Sequence, residues 1–214
     1  MRLEGVLQSW GEMSKWNHRD TATFPTKSGI VGLIGCAMGI PRGNDRLVEL
    51  SDSIDIAVRA DRAGEIDTDY QTVSSPAMLT AERKPRTLTN TIITPRAYLY
   101  DASFLVAISS ESDTLLDEIE AALKNPKWTV YLGRKACAPS QPITGRIVEN
   151  YEGLMDALVN EPLVERHDSR VYVECRGDET SRPDVLLCAK DRKFARRGVQ
   201  TTLVYEEGGQ ESCI

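Results

Sequence analysis

Apolar positions come in short runs with two different periods, and the order of those runs predicts the fold. Residues 2–7 alternate as a strand. Residues 28–38 (Ser-Gly-Ile-Val-Gly-Leu-Ile-Gly-Cys-Ala-Met) are apolar nearly all round, which predicts a buried helix in which Gly32 and Gly35 let another backbone approach closely. A short helix is predicted at 45–51, and 54–59 (Ile-Asp-Ile-Ala-Val-Arg) alternates as a strand with one buried face. A second apolar strand, 102–108, arrives only after a long polar excursion. Ser110-x-x-Asp113 then offers a capping box to a helix with Leu115, Leu116, Ile119 and Leu123 on one stripe, halted at Asn125-Pro126. Residues 128–132 read as the closing strand.

The sum is α+β, in the β-α-β-β-α-β order of ferredoxin-like and RNA-recognition (RRM-like) domains. More than thirty residues separate the strand ending near Arg62 from the one beginning near Tyr98, and an excursion of that length inside a compact domain is functional or disordered. Past residue 150 the pattern weakens to a helix at 151–159 and strands at 171–175 and 185–188. Residues 1–150 are therefore expected to form the core and 151–214 a small C-terminal lobe whose acidic end, 206–211, is mobile.

A chain of 214 residues with 41% hydrophobic content can bury a sizeable core. No apolar run reaches the roughly 18 residues of a membrane span and no export sequence opens the chain, so the expectation is cytoplasmic, with no membrane partner. Five scattered cysteines (36, 137, 175, 188 and 213) suggest reduced structural thiols, and with only His18 and His167 no metal centre or other cofactor is expected.

The net charge of −6 argues weakly against nucleic acid, but its distribution reverses that. Arg83, Lys84, Arg86 and Arg96 stand against Glu82 alone, Lys127, Arg134, Lys135 and Arg146 against Glu149, and residues 190–197 hold five cations against Asp191. Residues 101–125 carry six carboxylates and one lysine. Such segregation suits one basic and one acidic face; the alternative is a set of solvated loops.

Three stretches carry candidate chemistry. A polar, basic turn runs from Arg19 through Thr26, Lys27, Ser28 and Gly29 into the apolar helix. Unpaired N–H groups and the positive end of the helix dipole there favour a phosphate, with Arg19 and Lys27 completing the site. Gln8-Ser9-Trp10-Gly11 follows the first strand, where an indole can stack on a base and an amide can read its edge, or the Trp can cap the core. Tyr131-Leu132-Gly133-Arg134-Lys135 sets a ring, a glycine and two cations at the end of the last predicted core strand; the alternative is a charged turn.

The blocks Leu3 to Gly11, Arg19 to Ile40, Arg96 to Ala107, Tyr131 to Cys137 and, more loosely, Lys193 to Gly198 resemble, in order and spacing, the CasD family of the type I-E CRISPR surveillance complex Cascade (RAMP superfamily). The resemblance implies a non-catalytic subunit for antiviral defence whose ferredoxin-like body and inserted thumb hairpin hold the 5′ handle of the guide RNA, at one end of a ribonucleoprotein complex. It also implies contacts with the neighbouring backbone subunit and the large subunit. The excursion corresponds to the thumb, at about 67–97, and would bring Arg83, Lys84, Arg86 and Arg96 to the RNA. Family members generally carry further strand residues ahead of the position of Arg2, so either the start lies upstream or the first strand is short. Two alternatives remain: a repeat-cutting endoribonuclease using His18, Tyr131 and Lys135, and an adaptor without RNA contact.

Overall fold

The computed structural model describes residues 1–15, 17–74, 79, 83–84 and 91–207. Strands β1 (Arg2–Gln8), β2 (Asp55–Arg62), β3 (Glu65–Val73), β4 (Ile92–Ser109), β5 (Arg170–Cys188) and β6 (Lys193–Glu206) form one antiparallel sheet in the order β1-β4-β2-β5-β6, with β3 pairing the first half of β4. The fold is mixed α/β on an antiparallel sheet. Helices α1 (Lys27–Met38), α2 (Arg46–Asp52) and α3 (Asp113–Lys124) share a core with the sheet residues Leu3, Ile56, Val58, Ala60, Phe104 and Val106. Helix α4 (Leu154–Asn160) packs on β2, β4 and β5, where Leu158 meets Ala57 and Val173.

Strand β2 is buried on both faces, where its alternation predicted one. The reason is α4, together with Arg59, whose guanidinium is sunk among the last carbonyls of that helix and bonds Glu161 O at 2.6 Å, Pro162 O at 2.9 Å and Asp61 at 2.5 Å. A cation at a helix C-terminus meets both its unpaired carbonyls and its dipole. Helix α1 ends where Gly39 turns left-handed at φ 72° and its N–H reaches Cys36 O while Ile40 N–H reaches Gly35 O. The predicted cap of α3 moves by two residues: Ser112 accepts from Leu115 N–H, and Ser110 instead bonds Ser53 O and Ser112 N–H.

Residues 128–132 are not a strand, which corrects the expected closing element. Irregular chain lies along β1 instead: Ser9 N–H donates to Leu132 O at 3.0 Å and Ser140 N–H to Glu4 O at 2.8 Å. The chain folds back between those bonds, with Leu132 N–H on Cys137 O, and passes Ser9 so closely at Gly133 (φ 91°) that a Cβ there would overlap the Ser9 carbonyl. Such a path cannot run a regular ladder.

The two strands expected at 171–175 and 185–188 belong to one bulged strand, β5, whose partner β6 the sequence pattern did not reveal. The C-terminal region thereby extends the main sheet through β2–β5 pairing. The far end of this ribbon reaches α1 through buried charge. Asp184 accepts from Lys27 N–H at 2.8 Å and from Arg197 at 2.8 Å; Arg182 bonds Glu174 at 2.7 Å, Glu12, and Phe24 O at 3.2 Å. The Asp184 and Glu174 carboxylates are almost fully buried. Among the described residues, no helix is long and apolar enough to cross a membrane.

Removing one member of a buried ionic set leaves the others uncompensated, at about 3–5 kcal/mol. Asp184→Ala should therefore cost roughly that much in urea unfolding, while Asp184→Asn, which keeps an acceptor for Lys27 N–H, should cost less. Equal, near-zero changes would show that the ribbon is held by its apolar contacts alone.

Candidate nucleic-acid interface

The N–H groups of Lys27 and Gly29 at the start of α1 are satisfied from within the chain. Thr26 caps it, its hydroxyl accepting from Gly29 N–H at 3.1 Å and lying 3.5 Å from Ser28 Oγ, and its carbonyl takes Ile30 N–H. Asp184 occupies the place expected for phosphate on Lys27 N–H. The Lys27 side chain is buried, and burial pushes its ammonium below the usual lysine range, aided by Arg197 and opposed by Asp55, Asp184 and Asp52. A Cβ on Gly29 would sit 2.8 Å from the Trp10 ring. Of the residues expected to hold a phosphate, Lys27 has its N–H on a carboxylate from β5 and Gly29 has its N–H on the Thr26 hydroxyl.

Gln8 and Trp10 are likewise core residues, the alternative left open for the tryptophan. Gln8 is 0% exposed and Trp10 1%. Gln8 Nε2 donates to Ala102 O at 2.8 Å and its Oε1 accepts from Trp10 Nε1 at 3.0 Å, so neither group is presented to a base. Buried Trp and Gln need such partners, and each is the other's.

Three of the remaining cations, Arg19, Arg96 and Arg134, meet at one stretch of β4. Arg19 forms an isolated parallel bridge with Arg96: its N–H donates to Pro95 O at 3.0 Å and its carbonyl accepts from Ala97 N–H at 2.8 Å. From the other side Arg134 donates to Ala97 O at 2.9 Å and to Asp20 O at 3.0 Å, its guanidinium lying 4.6 Å from the Tyr98 ring centroid. Arg19, Arg96, Arg134 and the exposed Lys135 have no carboxylate partner among the described residues, and Arg96 Nε is buried without a hydrogen bond. Arg19 and Arg96 are thus joined through their backbones, and Arg134 reaches the same stretch of β4 with its side chain. Sequence order hid this cluster, because its members come from a loop, the middle of β4 and the segment replacing the closing strand.

Arg134 was expected to contact RNA and here also pins two chain segments together. Tyr131 is half-buried beside a cavity along α1. Arg83 and Lys84 are exposed at the arm that β3 and β4 build, Arg83 with φ 62°; Arg86 lies outside the described residues. His18 is exposed in the loop before Arg19 and its backbone pairs with Lys15, while His167 bonds Asp168 O and packs its ring edge-on to Tyr205.

The loop that presents Arg19 is organised by Asp20. Partial burial works against ionisation of this carboxyl, but hydrogen bonds from Ser14 Oγ, Met13 N–H and Glu12 N–H outweigh it and hold its pKa below the usual value of 3.8. A depressed carboxylate pKa contributes stability that is present above 3.8 and is lost as the pH falls through the lower folded value. Asp20→Asn should thus lower the thermal midpoint at neutral pH by the equivalent of about 1 kcal/mol, and the gap from wild type should close as the pH falls through the lowered folded pKa. A gap independent of pH would contradict the assignment.

Residues 1–200 match the family model described as CRISPR-associated protein (Cas_Cas5). The chain is 38% identical over 154 residues, 67% of its own length and 67% of the relative's, to "CRISPR system Cascade subunit CasD" of Escherichia coli (strain K12). It superposes with a TM-score of 0.83 and 31% identity on a chain of a "CRISPR RNA-guided surveillance complex", over 97% of this chain and 90% of that one. A second solved structure, "Crystal structure of Cas protein", matches at TM-score 0.74 and 31% identity over 97% and 96% of the two chains.

Proposed function

Because the chain belongs to the CRISPR-associated Cas5 family, we propose that it is the Cascade subunit that binds the guide RNA, gripping the 5′ handle at one end of the complex beside a backbone subunit and the large subunit. The observation that carries this reading is that Arg19, Arg96 and Arg134, none with a carboxylate partner among the described residues, meet at one stretch of β4 in a chain of net charge −6, with the exposed Lys135 next to Arg134 in sequence. Arginine is suited to phosphate because its planar fork bonds two oxygens at once and stays charged.

The framework β1-α1-β2-β4-α3 is read as ferredoxin-like. Its three strands lie in the order β1-β4-β2, and the segment around residues 131–140 takes the place beside β1 where the fourth strand of a βαββαβ domain belongs. The paired β3 and the first half of β4, which carries Arg96, serve as the thumb on a core of residues 1–150, and 151–214 as the C-terminal unit.

The subunit is non-catalytic. RNA cleavage by general acid–base chemistry needs one group to activate the 2′-hydroxyl and another to protonate the leaving oxygen. His167 is engaged by Asp168 O and Tyr205, which leaves His18 without a histidine partner for that work.

Retention of repeat RNA across a salt series tests the reading. Lys135→Glu and Arg19→Ala should each weaken retention and reduce the salt slope by about 0.7 per lost phosphate contact, without changing stability. Arg134→Ala should weaken retention and also lower the melting temperature, since its guanidinium holds two backbone carbonyls. Wild-type protein should leave the repeat transcript retarded and intact. Unchanged salt slopes in the first two variants would remove the phosphate assignment, and cleavage abolished by His18→Ala would make the protein a nuclease.

A further inference from the structure

Strand β4 bends where its pairing passes from β3 to β2. Its first half pairs with β3 and its second half with β2, and between the two Asp101 takes the left-handed conformation at φ 51°. A residue with a Cβ rarely adopts that conformation, and it persists only where the surroundings hold it. The strands opposite are irregular at the same level. Asp61 stands out of register near the end of β2, and Gly64, at φ 73°, runs so close to β4 that a Cβ there would lie 2.3 Å from Tyr100 O.

Two side chains clasp this joint. Arg62 Nε donates to Asp101 O at 2.7 Å, and its other nitrogens donate to Asp101 Oδ1 at 3.1 Å, Glu4 Oε1 at 3.1 Å and Arg166 O at 3.0 Å. One guanidinium thus ties β2, to which it belongs, to β4, to β1 and to the chain ahead of β5. Asp168 holds the turn between β2 and β3: its carboxylate accepts from Ala63 N–H at 2.7 Å, and its own N–H donates to Asp61 O at 2.8 Å. Neither residue is a member of the cluster formed by Arg19, Arg96 and Arg134.

The bend matters to that cluster because of where Arg96 lies. It stands in the half of β4 that leaves the core with β3, whereas Arg19 and Arg134 come from the loop after β1 and from the chain that runs along β1. The bonds at Pro95 and Ala97 close the cluster once β4 is aimed at it. We propose that Arg62 and Asp168 are positioning residues that fix the angle of the arm at Asp101 and so set Arg96 against Arg19 and Arg134. The proposal rests on the reading of the chain as an RNA-binding subunit and adds residues that act on RNA binding without touching RNA. It also gives the C-terminal region a part in that binding, since Arg166 and Asp168 reach the joint from the segment between α4 and β5. A bend held at a strained residue by hydrogen bonds relaxes toward commoner backbone conformations when those bonds are removed.

The test reads the angle of the arm and the retention of repeat RNA in the same full-length variants. Spin labels on non-canonical residues replacing Tyr70, 70% exposed on the arm, and Glu118, exposed on α3, report the angle as a distance with the native cysteines left in place. Wild type should give one narrow distance. Arg62→Ala and Asp168→Ala should each broaden it, and Asp168→Asn, which keeps an acceptor for Ala63 N–H, should restore it. Retention should fall about fivefold in the two alanine variants, but by less than about twofold when either is added to Arg96→Ala, because nothing is then left to position. Should Arg62→Ala fail to fold, the Asp168 pair decides alone. If the distance stays narrow in every variant, the clasp does not set the arm and the proposal fails. If the distance broadens but the losses of retention add to that of Arg96→Ala, the clasp is merely structural and the proposal fails as well. Wild type that retains no RNA would instead overturn the RNA-binding reading, and the distances would still show whether the clasp fixes the arm.

Discussion

The contact on which the arrangement depends is the Asp184 carboxylate at the first turn of α1. A helix start presents unpaired N–H groups and partial positive charge, and a buried start needs an acceptor. Here β5 delivers it from 157 residues away, and the same carboxylate holds Arg197 of β6. With Arg182, Glu174 and Glu12, this set locks the C-terminal ribbon against α1 and against the loop that follows β1. An apolar contact of similar area could hold the ribbon as tightly, but would not dictate which residue meets the helix start.

That internal anion has a consequence for recognition. A phosphate drawn to the same N–H groups would have to displace a buried carboxylate and strand Arg197 and Lys27. The cations of the guanidinium cluster carry no such occupant. The backbone of the Arg19 loop is paired with β4 and the Arg134 guanidinium is held by two backbone carbonyls, so the charge of Arg134 is in place before any ligand arrives. Preorganised donors lose less freedom on binding than side chains on a mobile loop. Arg134 illustrates the economy of the arrangement, since one guanidinium braces two carbonyls and an aromatic ring and still adds to the field.

Much of the framework was legible in the sequence because it rests on local periodicity. The helices at α1, α2 and α3 and the strands β1, β2 and the second half of β4 fall within a few residues of their patterns. What local pattern does not encode is who supplies a distant partner. The turn from Arg19 to Gly29 carries every mark of an anion site, and it is one, but its anion comes from residue 184. The apolar run 128–132 has strand propensity, yet Gly133 and the fold-back from Cys137 to Leu132 break the ladder. Strand β6 was hidden because its charged residues read as a basic patch, although Arg197 is mostly buried in the ionic set. Gln8 and Trp10 satisfy one another in the core, and nothing in a polar residue beside an aromatic reveals that they will.

The most direct test of the account is a comparison of amide and arginine side-chain resonances in the isotope-labelled chain before and after addition of its repeat RNA. The account predicts that the Arg96 Nε–H signal shifts and gains protection from exchange, while the Lys27 and Gly29 amides, bonded to Asp184 and Thr26, stay where they were. Large shifts of the Lys27 and Gly29 amides with Arg96 unmoved would place the phosphate at the helix start and contradict the account.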